Sequence, residues 1–353
     1  MERVDINQLS LIKAALLLSF PSAIVCHYLL SIILWFRTFD LLLVAASLTL
    51  YFGGFAGGSY FANYSRSSLS RIAGIILSGH VLASIIFAGF GSGYLALPIS
   101  VLLGTTTGGL LSLPLTKVMT PIRALVLAMT PLFGAYLLES YGTDAPLLLS
   151  AVLALLASFL LFASLKVIVP KPELGINLKL SLPRNIMIIA ITTAIGGSLG
   201  IVLTPIIALL PFGIGITMIG AVMSASLIAS QFIGSALTSQ KVIQRTMVTT
   251  SGFSFFLALI LLGIADSQIV FLILWFIVLV DFSLYNSFIT AAISSVKCDI
   301  RAFNIITSIA SILGPIIAVL LWATGSFQIL FIMAALLILV SVLLTRKILK
   351  SDK

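Results

Sequence analysis

Apolar runs long enough to cross a bilayer follow one another along almost the whole chain, separated by short polar turns. A helix needs roughly 20 apolar residues to span a hydrocarbon core of about 30 Å. Twelve such windows can be drawn: 11–36, 41–62, 70–90, 93–116, 122–140, 145–168, 185–210, 214–238, 245–265, 268–294, 302–323 and 327–347. Turns such as "FGSG" (90–93) and "PFGIG" (211–215) leave no room for folded domains between them. Backbone polar groups in lipid must be satisfied within their own segment, so the expected class is an all-α polytopic membrane protein. Only 8% of residues are charged and the mean hydropathy is +1.26, whereas soluble globular chains carry roughly 25% charged residues. No soluble fold covers that much apolar surface.

The charges then orient the spans. With the N-terminus in the cytoplasm, every one of the nineteen Lys and Arg falls on the inner side except Arg37, which stands beside Asp40. The outer turns otherwise hold Glu139, Asp144 and Asp266. A wrong span count would scramble this pattern, because every later loop would change sides. The positive-inside rule therefore supports twelve spans with both termini cytoplasmic, in a multi-pass protein of the cell membrane. It also accounts for the net charge of +9, so no nucleic-acid partner is expected. The polar start "MERVDINQLS" runs into the first span without a small-residue cleavage site, which reads as a retained helix and not a signal peptide. Cys26 lies in an apolar segment and Cys298 in a short polar loop, so no disulfide framework is expected.

The longest internal polar stretch, "VPKPELGINLKLSLPRN" (169–185), separates six spans from six. The expected organisation is a bundle over 1–168, a cytoplasmic linker over 169–184 and a second bundle over 185–353. The halves resemble each other late in their course. "TPLFGA" (130–135) and "GPIIAV" (314–319) both run small residue, Pro, two large apolar residues, small residue. Each then leads through a Gly-containing turn into a Leu/Ala-rich helix ending on Lys, and each follows an "IRA" (122–124 and 300–302). Because each half starts and ends on the same side, the repeat is parallel, about an axis along the membrane normal.

With these features the chain resembles the major facilitator superfamily over nearly its whole length. That family has a glycine, acidic and basic motif between spans 2 and 3. Here the stretch is "GGSYFANYSRSSLSR" (57–71), with Arg66 and Arg71 present and Asn63 where the family usually has aspartate. The matching loop of the second half, "GSALTSQKVIQR" (234–245), keeps Gly234, Lys241 and Arg245 and again lacks the acid. These residues are the gating-loop candidates. They are joined by Pro131 and Gly134, where "TPLFGA" is similar to the fifth-span element typical of antiporters, and by the counterparts Gly314 and Pro315. The resemblance implies a secondary transporter working by alternating access, with spans 1, 4, 7 and 10 lining a central cavity.

Among the ten Asp and Glu and nineteen Lys and Arg, only Asp281 is deep in a span. It stands thirteen residues from either end of 268–294, about 20 Å of helix on each side at 1.5 Å per residue. A charge at that depth costs roughly 2.5–3.5 kcal/mol on the most lenient scale, so such residues face a bundle interior or a watery cavity. The competing reading is an interhelical hydrogen bond that only fixes packing. His27 lies near the middle of span 1, and histidine gains or loses a proton near neutral pH. On the family fold it would approach the cavity at a depth similar to Asp281, as a partner or relay. Tyr285 shares the helix face of Asp281, and Asn286 lies one position further round. Both are substrate-binding candidates. Hydroxyls at Thr105, Thr106 and Thr107 in span 4 and at Thr192, Thr193 and Ser198 in span 7, with Gln231 in span 8, are cavity-lining candidates. Small residues at these places equally serve close helix packing. His80, mid-span 3, is expected to be structural, and the glycines of "YFGGFAGGSYF" (51–61) to mark close packing or a sliding gate surface.

No phosphate-binding GxxxxGK[ST] loop, HExxH or Cys/His cluster occurs, so no ATP-driven step, metal or cofactor is expected, and the chain is not read as an enzyme. The reading is a proton-coupled carrier of a small solute, with a lean towards efflux of a neutral, cationic or amphiphilic compound. One six-plus-six chain forms a complete pathway, so a monomer in the lipid bilayer is expected. The alternatives are another polytopic carrier family and a non-transporting membrane sensor or assembly protein.

Overall fold

The computed structural model describes residues 6–64, 69–112, 121–163, 182–237, 241–296, 298–324 and 326–351. Fourteen α-helices lie within them. In the first half these are α1 (Ile6–Thr38), α2 (Leu41–Tyr64), α3 (Leu69–Phe90), α4 (Ala96–Leu111), α5 (Pro121–Tyr141) and α6 (Asp144–Ala163). The second half holds α7 (Arg184–Ile201), α8 (Thr204–Leu209), α9 (Ile216–Leu237), α10 (Lys241–Gly263) and α11 (Gln268–Ser295). It continues with α12 (Ile300–Ser311), α13 (Leu313–Thr324) and α14 (Phe327–Ser351). Among the described residues eleven stretches are long and apolar enough to cross a membrane, and the fifth span, apolar over Leu125–Tyr141, is shorter. Large apolar side chains such as Leu148, Val152, Leu155 and Phe159 are exposed along α6, as a lipid-facing surface requires.

Spans 7 and 11, drawn from the sequence as continuous, are each broken. Proline lacks an N–H and its ring clashes with the carbonyl four residues earlier. Pro205 sits near the start of α8, and α7 ends at Ile201, four residues before it. Pro315 sits near the start of α13, and α12 ends at Ser311, again four residues before. Pro21 and Pro131, by contrast, lie inside the continuous helices α1 and α5.

Two compact units result, Met1–Leu178 and Lys179–Lys353; residues 164–181, most of the expected linker, lie outside the described residues. Within the first unit α2 packs on α4, α1 on α5 and α6, and α3 on α4 and α6. Within the second, α9 packs on α11, α7 on α12, α13 and α14, and α10 on α11 and α14. Shifting each first-unit pair by six spans gives the second-unit set, the packing expected of a sequence repeat.

The tightest seam is in the first unit. A Cβ on Gly54 would come within 2.2 Å of the Val101 carbonyl oxygen, and one on Gly58 within 1.8 Å of that of Thr105. Across the seam, a Cβ on Gly104 would meet the Tyr51 carbonyl oxygen at 2.0 Å and one on Gly108 that of Phe55 at 2.1 Å. Two glycine pairs, each spaced by four, let the α2 and α4 backbones touch.

At one end of this unit Arg37 closes α1 onto two neighbours. Its guanidinium donates to the carbonyls of Phe87 (2.6 Å) and Ala88 (2.9 Å) at the C-terminus of α3, and to Asp144 at the start of α6. Asp40 instead caps α2, its Oδ1 accepting from the N–H groups of Leu42 (2.8 Å) and Leu43 (3.1 Å). The Arg37 side chain is 8% exposed and Asp144 is 61% exposed, so the carbonyl bonds and not the ion pair carry the contact. Arg37→Ala is expected to cost about 2–4 kcal/mol and Asp144→Ala less than about 1 kcal/mol, read as thermal unfolding in detergent.

Candidate functional site

Asp281 is carried by α11, which starts on Ser267, whose Oγ accepts from the Val270 N–H at 3.4 Å. At mid-helix Asp281 turns towards α10, where Ser254 Oγ donates to Oδ2 at 2.6 Å. Its other oxygen has no hydrogen-bond partner among the described residues and is not enclosed, the residue keeping 8% of its surface. Among the described residues no Lys or Arg forms an ion pair with it, and no cluster of His, Cys, Asp and Glu fit to hold a metal ion is found. The carboxyl is therefore buried, hydrogen-bonded on one oxygen and unpaired on the other. Phe282 fills the space beside it, its ring 5.8 Å from that of Phe255. That ring reaches α7 because position 197 is glycine, where a Cβ would come within 2.5 Å of it.

The other second-unit candidates divide into sealed and open groups. Tyr285 is fully buried, its hydroxyl 2.7 Å from Ser341 Oγ, and Thr193 Oγ1 reaches the same Ser341 at 2.6 Å. This trio ties α7, α11 and α14 together. Ser198 is buried, donates to the Ala194 carbonyl and presses on Gly314, where a Cβ would meet its own Cβ at 2.3 Å. Pro315 is buried beside that contact. Thr192, half-buried, bonds back to the Ile188 carbonyl at 2.8 Å; Asn286 is half-buried and Gln231 is exposed on α9.

In the first unit His27 Nδ1 lies 3.1 Å from the hydroxyl of Tyr51 on α2. Aromatic rings stand round the imidazole, Tyr28 at 5.4 Å, Phe55 at 5.7 Å, Tyr51 at 6.0 Å and Phe52 at 6.3 Å between centroids. Thr105 is exposed beside the glycine seam and bonds back to the Val101 carbonyl at 2.8 Å. Pro131 is buried in α5, and Gly134 lets α5 approach α1, where a Cβ would lie 2.8 Å from Leu29 Cδ1. His27 and Asp281 thus belong to different units, and each has its hydrogen-bond partner within its own.

No family model matches this sequence, and no curated protein matches it at a meaningful level. Solved structures do match. The POT family transporter PepTSo superposes with a TM-score of 0.74 at 10% identity, covering 98% of this chain and 99% of that one. A bacterial homologue of the iron transporter ferroportin, in its inward-facing state, gives 0.71 at 14% identity over 96% and 98%. The nucleoside transporter NupG gives 0.69 at 12% identity over 97% and 100%. The chain has the major facilitator fold. Each of these structures is described as a transporter or a transporter's homologue, and none as an enzyme.

On the major facilitator fold a second histidine has a different setting. His80 on α3 is fully buried, with Nδ1 2.9 Å from Thr106 Oγ1 on α4 and Nε2 3.0 Å from Ser150 Oγ on α6. Ser150 also donates to the Ser22 carbonyl at 2.9 Å and accepts from Cys26 Sγ at 3.3 Å, both on α1. Four helices meet in one closed polar knot, and Thr106 serves it. Partners 26 and 70 residues away from His80 give no local sequence signal. Interhelical hydrogen bonds in membranes average roughly 0.6 kcal/mol each, so His80→Leu is expected to cost about 1–3 kcal/mol, including imperfect repacking. Melting temperature is the measurement. Of the gating-loop candidates, Arg66 lies outside the described residues. Asn63, Arg71, Lys241 and Arg245 are on helices, but their side chains are outside the description. Gly234 is half-buried, 3.9 Å from Leu284 Cδ2 measured from a Cβ placed on it.

Proposed function

We propose that this protein is a secondary active transporter that moves a small solute by alternating access, driven by protons. The observation that carries the reading is Asp281, a buried mid-span carboxyl with one oxygen held by Ser254 and the other without a described partner. A single structural hydrogen bond would be met by a neutral side chain, without the cost of placing an ionisable group in a span. The Ser254 hydroxyl holds the carboxyl in one orientation whether or not it is protonated, and the free oxygen takes and releases the proton. A conformational change that alternates the opening of that oxygen between the two sides then links proton movement to solute movement, since a ligand shifts an equilibrium by its differential affinity for the two states.

His27 is the first-unit site in this reading, and Thr105, Thr192 and Asn286 are the polar groups left open for solute or water. Tyr285, Thr193, Thr106 and Ser198 serve as internal ties, each already bonded within its bundle. The absence of a described cation beside Asp281 favours a neutral, cationic or amphiphilic solute over a strongly anionic one. The "TPLFGA" element favours efflux, and the distribution of Lys and Arg favours cytoplasmic termini in the cell membrane. The protein works as a monomer.

The test is reconstitution into proteoliposomes with an imposed pH gradient and a broad solute panel. Saturable, gradient-dependent flux supports the reading. Binding without flux supports a sensor, and turnover without a gradient an enzyme.

A further inference from the structure

We propose that the recess around His27 binds a flat aromatic solute carrying one hydroxyl or amine, its ring against Phe52 and Phe55 and its polar group on His27 Nε2. His27, Tyr28, Phe52 and Phe55 are each half-buried, so one side of this ring cluster is open. Tyr51 is buried behind it and occupies Nδ1. Nε2 has no hydrogen-bond partner among the described residues and is not enclosed. An imidazole nitrogen facing hydrocarbon would go unsatisfied. α1 is flanked by α2, α4, α5 and α6, so the partner that Nε2 still needs would come from water or a solute.

The chemistry of the recess selects its occupant. Ring faces and edges favour another ring in an offset or edge-on arrangement, and a small-molecule site needs few polar groups if they converge. The Tyr51 hydroxyl either donates to Nδ1 or accepts from it, which makes Nε2 a donor or an acceptor accordingly. A hydroxyl or a neutral amine satisfies both cases, whereas a carboxylate or phosphate satisfies only one. Arg37, whose side chain is described, is committed to Phe87, Ala88 and Asp144 and so offers an anion no counter-charge there. This inference rests on the transport reading for the access of solute to the recess, and it adds the solute's class.

The experiment uses 7-hydroxycoumarin, a flat fluorescent phenol, titrated into the full-length protein in nanodiscs. Empty nanodiscs provide the partition background, and 7-methylcoumarin and cyclohexanol are run as competitors. Saturable binding is expected, with 7-methylcoumarin weaker by about tenfold and cyclohexanol not competing. His27→Ala removes the difference between the two coumarins. Phe55→Leu weakens both by about tenfold, and Phe52→Leu repeats the measurement should Phe55→Leu fold poorly. No saturable binding, equal affinity across wild type and all three variants, or effective competition by cyclohexanol overturns the proposal. Gradient-driven flux of some other solute, indifferent to these variants, would sink the aromatic class and leave transport standing. Coumarin binding through His27 without any flux would do the reverse.

Discussion

Asp281→Asn is expected to abolish proton-driven flux, to below about a tenth of wild type, while leaving the fold and gradient-free solute exchange in place. Asparagine has nearly the shape of aspartate, and its side-chain carbonyl still accepts from Ser254 Oγ, 2.6 Å away in the native pair. What disappears is the ability to gain and lose a proton. Two measurements on the same proteoliposomes separate the roles: flux under an imposed pH gradient, and exchange of labelled for unlabelled solute at equal pH. Loss of the first with the second retained assigns Asp281 to coupling. Loss of both, with a lowered melting temperature, makes it a packing residue. Unchanged gradient-driven flux removes it from the mechanism. Ser254→Ala provides an independent check, since it frees Oδ2 without touching the carboxyl. It is expected to alter the pH dependence of flux while keeping the maximal rate within about threefold, the effect of losing one hydrogen bond.

The twelve spans were legible because hydropathy and charge repeat along the chain, and each is local. A run of twenty apolar residues declares itself, and the side on which Lys and Arg fall checks the count. Asp281 declared itself the same way, as the one deep charge. Its partner did not. Ser254 lies 27 residues away on another helix, and only the packing of α10 on α11 singles it out. The breaks at Ile201 and Ser311 show a subtler limit. Pro205 and Pro315 are plain in the sequence, but so are Pro21 and Pro131, which sit in unbroken helices. In a membrane bundle, neighbouring helices and small adjustments re-satisfy the groups a proline frees, so tertiary context decides whether the helix continues. Tyr285 and Thr193 illustrate the same point. Their positions on spans 10 and 7 made them candidates for solute, and the structure joins both to Ser341, on a helix nothing in their own sequence neighbourhood indicates.

The glycine seam gives the largest stability effect and leads back to the site. Gly58→Ala is expected to destabilise the protein by roughly 3 kcal/mol or more, the upper range for overpacking, because the new methyl would meet the Thr105 carbonyl oxygen at 1.8 Å and a backbone atom cannot swing aside. In thermal unfolding that is a fall of about 4 °C or more for a chain of this length. Gly57→Ala, one residue earlier on the same helix, has nothing within 4 Å and is the matched control. It is expected to stay within about 0.5 kcal/mol of wild type, as surface substitutions do. Equal melting temperatures for the two variants would mean that α2 and α4 do not touch as described. The partner glycines extend the prediction from stability to function. Gly104 and Gly108 admit the carbonyls of Tyr51 and Phe55, and those residues supply the hydroxyl on His27 Nδ1 and one ring of its aromatic wall. An alanine at Gly104 must push Tyr51 away from α4, so the His27–Tyr51 bond changes together with the seam. Any residual folded population of Gly104→Ala should therefore bind solute at the His27 recess less well than Gly57→Ala does, although neither substitution touches the recess itself.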